Sequence, residues 1–522
     1  MTHPELTEVM SAPAFYPHKP HKVEMVQTHI SYIFIAGEFV YKIKKAVNFG
    51  FLDFTDLEKR KYYCQEELRL NRRLAPETYL ELIEISEDIS GHLVLGKGRR
   101  TVEYAVKMRT LPQDKMLKKL LAEGKTNIAI MSAIAGKVAE FHRLAATGDK
   151  IDKMGSVETI RKNHEENFEQ TESYINVTIA GYQYQFIKSY VFNFIEKNTA
   201  LFQKRIADHK IRDCHGDLHL EHICLTNGIV IFDCIEFNER FRYEDIAAEV
   251  AFLSMDLDYN GYPDYADAFV KAYIALTGDK EINVLLDFYK CYYAYVRGKV
   301  IGFKLKDQAI SEDDRKNAQR TSSRYFDLAY SYAAHLQKPT LILMAGLMGA
   351  GKSVLSRAIA PRLGAEILRT DVIRKEMLGI SPSEHRLVDF GEGIYSDDIS
   401  KKVYEQALEE ALKILAEGRS VIIDASHKKH AQRAKAFDAA GKVHADFYVV
   451  ECVCAEEIIK QRLEVRASDS KEPSDGRWEI FHAQKDNFEP ITELPEGHHI
   501  AVNTAAPPEE CLQRLIRQIR GF

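Results

Sequence analysis

The chain has 522 residues, 45% hydrophobic and 28% charged, with a formal net charge of −6. That mix describes a globular protein with chain enough for several domains. The mildly acidic balance supplies no global field toward DNA or an anionic membrane. The longest apolar run, 341–350, is about half of what a membrane span needs, and the first residues lack a charged-then-apolar leader pattern. The eight cysteines, at 64, 214, 224, 234, 291, 452, 454 and 511, contain no Cys-x-x-Cys pair. These features predict a soluble, cytoplasmic protein with buried reduced thiols, Cys452 and Cys454 sharing one strand face.

In chain order, "VEMVQTHISYIFIAGEFVYKI" from residue 23 carries the β-branched and aromatic residues of three short strands, turned at Gly37-Glu38. A polar helix follows over 55–75, closed by Pro76. Strands return at "LELIEIS", "HLVLG" and "VEYAVKMRTL". After about residue 114 the periodicity is helical, over 127–146, much of 180–210 and 283–305, with a β patch at 211–237. Residues 1–335 therefore read as an α+β unit, a small β-rich lobe followed by a larger helical one. "HLQKPT" at 335–340 is the expected junction. Beyond it, strands at 340–345, 365–370, 420–424, 445–453 and 498–503 alternate with amphipathic helices, the pattern of an α/β domain over 339–522 with a central parallel sheet.

"GLMGAGKS" at 346–353 matches G-x-x-x-x-G-K-[ST] between a strand and a helix, which is the context a P-loop requires. Gly346, Gly349 and Gly351 let backbone N–H groups curl around phosphate oxygens. Lys352 is expected to reach the β/γ-phosphates of ATP and Ser353 to ligate Mg²⁺. Asp424, closing the apolar strand "SVIID", is the expected acid near the metal, or else a helix cap. Asp371 and Arg374 in "RTDVIRKEM" stand three apart on one helix face. The carboxylate can accept the proton of an attacking hydroxyl, or cap the helix, and the arginine can hold a substrate anion. Arg462 and Arg466 share a helix face before "SDSKEPSDG"; resemblance to small P-loop kinases implies a mobile lid there, with arginines over the transferred phosphoryl group, and a solvated face is the equal alternative for either arginine alone. Acceptor specificity is expected near 380–400 and 468–480.

These residues resemble those of the small P-loop kinases: gluconate and shikimate kinases, zeta-toxin-like kinases and the kinase part of polynucleotide kinase. The resemblance implies phosphoryl transfer from ATP to a hydroxyl of a small molecule or of a nucleotide or nucleic-acid end. The acidic pI of about 6.4 and the lack of a long Lys/Arg stripe weigh against nucleic acid.

"CHGDLHLEHICL" at 214–225 admits two readings. His215, His219 and His222 have loose metal-site spacing, but no further Cys or His cluster completes a zinc set. His-Gly-Asp, a hairpin strand and then Asp233 in "NGIVIFDCIEF" form a kinase-type catalytic loop. In that reading Asp217 orients or deprotonates the acceptor and Asp233 binds Mg²⁺. Lys42 in "FVYKIKK" and Glu67 on the following helix are the expected phosphate-binding pair, with Lys44 and Glu66 ranked second. Met108 is expected near the adenine, the helix "VAEFHRLA" (138–145) behind the loop, and Asp245 either bonded to the loop or capping its own helix. Residues 20–335 thus resemble the aminoglycoside-phosphotransferase-like kinases, which implies a bilobal protein-kinase-like fold. Both halves together resemble a bacterial two-domain family of that composition. His222 stands where the family pattern H-G-D-x-x-x-x-N has its metal-binding Asn, and "QTHISYIF" replaces a Gly-rich loop. The leading expectation is an ATP-dependent phosphotransferase whose N-terminal half is a second kinase or a regulatory nucleotide-binding domain. The alternative is an ATP-hydrolysing regulator with an N-terminal pseudokinase.

Overall fold

β1 (Val23–Gln27), β2 (Ser31–Ala36) and β3 (Phe39–Lys44) form an antiparallel meander, with Gly37 at φ 67° in the second turn. The computed structural model describes residues 5–50, 52–307, 310–335, 338–381, 392–466 and 477–520, with side chains except at Arg466, Arg517 and Arg520. β4 (Tyr79–Glu87), β5 (Leu93–Leu95) and β6 (Arg100–Arg109) complete a sheet of order β1-β2-β3-β6-β4-β5. Between β3 and β4 runs the helix Leu57–Asn71, started by Asp56, whose carboxylate accepts from the Glu58 and Lys59 N–H groups. Its apolar side, Cys64 and Leu68, packs on Tyr79, Tyr104 and Val106 of the sheet. That docking turns Glu67 inward until it is fully buried.

The rest of this unit is helical. The helices Ile130–Leu144, Ile246–Tyr259, Pro263–Thr277 and Ile282–Gly302 carry much of its core, Val138, Phe141, Leu253, Phe269 and Phe288 among them. Two short antiparallel ladders interrupt them. β7 (Ile211–Asp213) pairs with β10 (Tyr243–Asp245), and β8 (Ile223–Leu225) with β9 (Ile229–Ile231). They fix both ends of the segments 214–222 and 232–242, which carry Asp217, His222 and Asp233.

The chain divides into two compact units, Met1–Ala333 and Ala334–Phe522. In the second, β11 (Thr340–Ala345), β12 (Ala365–Arg369), β13 (Ser420–Asp424), β14 (Asp446–Val453) and β15 (His499–Asn503) form a parallel sheet of order β12-β13-β11-β14-β15. β11 and β13 are buried along their whole length, as strands covered on both faces must be. The sheet is that of a P-loop NTPase, and its strands lie within one residue of the stretches read from the sequence. Cys454 lies just past the end of β14, so the expected shared strand face with Cys452 does not extend to it. None of the eight cysteines is in a disulfide. Among the described residues, no helix is long and apolar enough to cross a membrane.

Candidate active sites

At the C-terminal end of β11 the chain enters the glycine-rich loop with Gly346 at φ 123°, Gly349 at φ 73° and Gly351 at φ 87°. A Cβ on Gly346 would stand 2.5 Å from the Cys452 carbonyl oxygen, so β14 leaves room for glycine alone. The helix Lys352–Leu363 follows directly, aiming its N-terminal N–H groups into the loop. Lys352 Nζ donates to the carbonyls of Gly346 (3.0 Å) and Leu347 (2.8 Å), which centres the ammonium in the turn.

A cavity of about 1080 Å³ opens beside this loop, and Lys352, Ser353, Asp371, Arg374, Asp424 and Arg462 all line it. Asp424 is buried at the end of β13, with Arg369 Nε 3.5 Å away. Asp371 sits in the first turn of the helix Thr370–Met377, whose cap position is Arg369, so it is not the N-cap. Arg374 is buried. Its guanidinium donates to the Ile394 carbonyl (2.9 Å) and Ser400 Oγ (3.2 Å) and lies over the Tyr395 ring. Arg462 is turned to Thr504, whose carbonyl accepts at 2.7 Å and whose hydroxyl accepts at 3.2 Å. Thr504 in turn donates to the Ala350 carbonyl at 2.6 Å, so Arg462 braces the P-loop. The Arg466 side chain, 467–476 of the expected lid and 382–391 of the expected specificity insert lie outside the described residues.

A second cleft, of about 2550 Å³, lies in the N-terminal unit and is lined by Lys42, Asp217, His219, His222, Asp233 and Arg297 among others. Lys42 Nζ pairs with Glu67 (2.8 Å) and with Asp233 Oδ1 (2.6 Å). Burial works against its charge, but Asp233 and Glu67 outweigh burial and hold its pKa well above a lysine's ordinary value. Lys44 shares Glu67 at 2.7 Å and also pairs with Glu236, whereas Glu66 is taken by Arg69. Asp233 adopts φ 63°, a conformation that non-glycine residues seldom take. Its N–H donates to Tyr79 Oη at 3.1 Å, and the Cys234 N–H donates to Asn71 Oδ1 at 2.9 Å. Helix and sheet thus hold this strained turn in place. The segment Gln27–Ser31, which stands in place of a Gly-rich loop, lines the cleft, its turn closed by Thr28 Oγ1 accepting from Ser31 N at 3.0 Å. Met108 packs among Cys64, Leu68, Tyr79 and Tyr104 and is not among the residues lining the cleft.

The three histidines do not converge together: Asp217, His219 and His222 bring one ligand atom each within 4.8 Å of one another, and His215 stands outside that group. His215 Nδ1 accepts from the Asp217 N–H (3.3 Å), and its Nε2 donates to the Phe232 carbonyl (3.0 Å). His219 and His222 both approach Asp217 Oδ2 at 3.6 Å. Burial opposes ionisation of Asp217, but His219 outweighs it and depresses the Asp217 pKa. Burial, with His219 nearby, holds His222 below the usual histidine pKa, so it is neutral near pH 7.

Several supporting residues escaped the sequence reading. Glu249 is buried in the helix Ile246–Tyr259, and its Oε1 accepts from the backbone N–H of His215 and of Gly216, each at 2.7 Å. His142, on the helix Ile130–Leu144, reaches Glu249 Oε2 at 2.7 Å. The expected support helix therefore acts through Glu249. Asp245 instead caps its own helix through the Ala247 N–H and pairs with the buried Arg205. In the second unit His427, at φ 35°, contacts the Met344 carbonyl through Nδ1 at 2.7 Å. Burial lowers its pKa to about 4. Arg433 is fully buried, pairs with Glu493 and donates to the His427 carbonyl at 2.8 Å.

Residues 341–491 match the family model described as an AAA domain. A shikimate kinase from Paramagnetospirillum magneticum is 31% identical over 105 residues, 20% of this chain and 51% of that protein. The crystal structure of a gluconokinase from Sinorhizobium meliloti 1021 aligns with 35% of this chain and 93% of its own, at 21% identity and a TM-score of 0.25. The uncharacterised protein Rv2004c of Mycobacterium tuberculosis is 30% identical over 492 residues, 93% of each chain. The chain belongs to the family of that mycobacterial protein, and its C-terminal unit is a P-loop domain of the AAA-matched kind.

Proposed function

We propose that the C-terminal unit, over 339–522, is an ATP-dependent kinase that transfers the γ-phosphoryl group to a hydroxyl of a small molecule or of a nucleotide or nucleic-acid end. The observation that carries this is the shared cavity of Lys352, Ser353, Asp371, Arg374 and Asp424. A plain ATPase has no use for a carboxylate and a fixed arginine facing the P-loop from another helix. Likeness to a shikimate kinase over 105 residues supports the same chemistry.

In this reading Gly346, Gly349 and Gly351 cradle the phosphates and Lys352 neutralises charge on the β/γ oxygens. Asp371 accepts the acceptor's proton as its oxygen attacks the γ-phosphorus and ADP leaves. Arg374, oriented by Ile394 and Ser400, holds the acceptor. Arg462 keeps the loop in shape, and Arg466 belongs to the lid. Ser353 and Asp424 are an oxygen-only donor set, which suits Mg²⁺. That ion, when bound with ATP, would offset negative charge developing on the phosphates.

Residues 1–335 we read as a protein-kinase-like domain, acting as a second phosphotransferase or as a nucleotide-binding regulator. The Lys42–Glu67–Asp233 chain of contacts across one cleft supports it. There Lys42 and Glu67 serve the nucleotide, Asp217 the acceptor hydroxyl, and Asp233 and His222 the metal. The alternative, an ATP-hydrolysing regulator with an N-terminal pseudokinase, makes a different prediction in the same assay.

The test offers γ-labelled ATP, Mg²⁺ and pooled metabolites and RNA to the wild-type chain and to Asp371→Asn and Asp217→Asn. Label on an organic acceptor that disappears with Asp371→Asn supports the C-terminal kinase and identifies its acceptor. Loss with Asp217→Asn assigns transfer to the N-terminal cleft. Free phosphate as the only product, indifferent to Asp217→Asn, overturns the kinase reading in favour of the regulator.

A further inference from the structure

The backbone partners of His219 and His222 decide which ring nitrogen each can offer. His219 accepts the Glu221 N–H on Nδ1 at 3.3 Å, so its hydrogen is on Nε2 and points toward Asp217 Oδ2. His222 is the reverse. Its Nδ1 lies 2.9 Å from the Asp217 carbonyl oxygen, which can only accept, so Nδ1 bears the hydrogen and Nε2 keeps a lone pair. With His215 engaged at both nitrogens, His222 Nε2 is the imidazole lone pair that this loop offers.

That lone pair faces Asp233 Oδ2 at 3.6 Å. The separation is too long for a hydrogen bond, and no hydrogen lies between two acceptors. Asp233 Oδ1 is taken by Lys42, which leaves Oδ2 turned toward the imidazole. Two electron-rich atoms held together beside a cleft are relieved by a shared cation. Ligands each about 2.1 Å from one ion sit about 3.0–3.4 Å apart in octahedral or tetrahedral geometry, so a few tenths of an ångström of closure suffices. The donor set is one imidazole nitrogen and one carboxylate oxygen. Mg²⁺ prefers oxygen ligands throughout, whereas affinity for nitrogen rises along the first transition row.

We propose that the N-terminal cleft selects a first-row transition dication of the manganese-to-zinc series over Mg²⁺, with His222 Nε2 and Asp233 Oδ2 as its protein ligands. This rests on the kinase-like reading of that unit. It also separates the two sites by metal, because the P-loop cavity offers the oxygens of Ser353 and Asp424.

The test uses the full chain carrying Lys352→Ala, to idle the P-loop, with a non-hydrolysable ATP analogue and Mn²⁺ followed by electron paramagnetic resonance. Bound Mn²⁺ should show nitrogen modulation in pulsed spectra, and Mg²⁺ should displace half of it only in more than about tenfold excess. Adding His222→Asn should remove the modulation and reduce the Mn²⁺-over-Mg²⁺ preference by about tenfold or more. His222→Gln serves equally if Asn disturbs the loop. Mn²⁺ binding that Asp233→Asn abolishes, but whose metal preference and spectra are unchanged by His222→Asn, overturns the metal assignment and leaves the kinase-like reading standing. If no bound Mn²⁺ depends on Asp233, both readings fail.

Discussion

Lys42 and Asp233 are 191 residues apart in sequence and 2.6 Å apart in the fold. The ion pair joins β3 of the sheet to a strained turn beyond β9, and Glu67 completes it from the intervening helix. Replacing Lys42 by Met keeps most of the volume but leaves Asp233 without its partner and Glu67 with Lys44 alone. Loss of one member of a buried pair costs about 3–5 kcal/mol, and about 2–4 kcal/mol is expected here because the Asp233 side chain is 39% exposed and therefore partly solvated. Calorimetric unfolding should show the loss in the N-terminal unit. Label transfer that depends on Asp371 should be unchanged. A parallel drop in that activity would mean that the Lys42 cluster serves the other site.

Gly351 offers a sharper probe of the P-loop. At φ 87° it adopts a left-handed conformation, and a Cβ there would stand 3.2 Å from an Arg462 guanidinium nitrogen and from Thr504. The conformation alone costs an alanine about 1–2 kcal/mol, and the contact displaces the brace between Arg462 and Thr504. Gly351→Ala should weaken ATP binding by tenfold or more with little change in the sheet. Titration calorimetry decides it, and an unchanged dissociation constant would show that the brace is slack. Lys352→Ala is the companion variant. It should lower transfer by about a hundredfold or more, because positioning and charge supply most of the rate in phosphoryl transfer.

The parts legible in sequence were those that local chain chemistry encodes. A glycine-lysine loop between an apolar strand and a helix has one structural use, so the parallel sheet and the P-loop could be read from residues that are near neighbours in sequence. Asp371, Arg374 and Asp424 follow from positions at strand ends. The N-terminal pairing was less determined. Lys42 and Lys44 are two apart on one strand, and only the docking of the helix Leu57–Asn71 shows that both reach Glu67 while Glu66 faces Arg69. The tautomers of the three histidines depend on backbone atoms that no sequence pattern locates. Arg433 gave no signal, since an arginine in a polar helix is ordinarily solvated. Glu249 did leave one. It is a lone acid within "IAAEVAFL", and a carboxylate in so apolar a run must find donors.

Glu249 accepts two backbone N–H groups of the loop that carries Asp217. Glu249→Ala leaves both buried and unpaired, at about 1–3 kcal/mol each. Glu249→Gln keeps an acceptor oxygen for them and should recover most of that loss. If Glu249 positions the loop, the glutamine variant should also retain the His222-dependent metal binding that the alanine variant loses. Equal stability of the two variants would remove the two N–H bonds from the account.

The pH dependence of the C-terminal unit follows from His427. It is buried, and burial lowers its pKa from the ordinary value of 6.5 to about 4, so the folded state holds it neutral. Between those two values the unfolded chain binds a proton that the folded chain does not, so stability is full above about pH 6.5 and declines as pH falls toward 4. The shift corresponds to on the order of 3 kcal/mol. The single tryptophan of the chain, Trp478, lies in this unit, stacked on Phe481 at 4.8 Å. Its fluorescence therefore isolates the transition from that of the N-terminal unit. Asn tolerates the left-handed φ of 35°, and its amide can donate to the Met344 carbonyl. His427→Asn should keep the urea midpoint near its neutral-pH value while the wild-type midpoint declines between pH 6.5 and 4. Parallel decline in both proteins would assign the acid sensitivity to the buried Arg433–Glu493 pair, whose carboxylate must be ionised to hold its arginine.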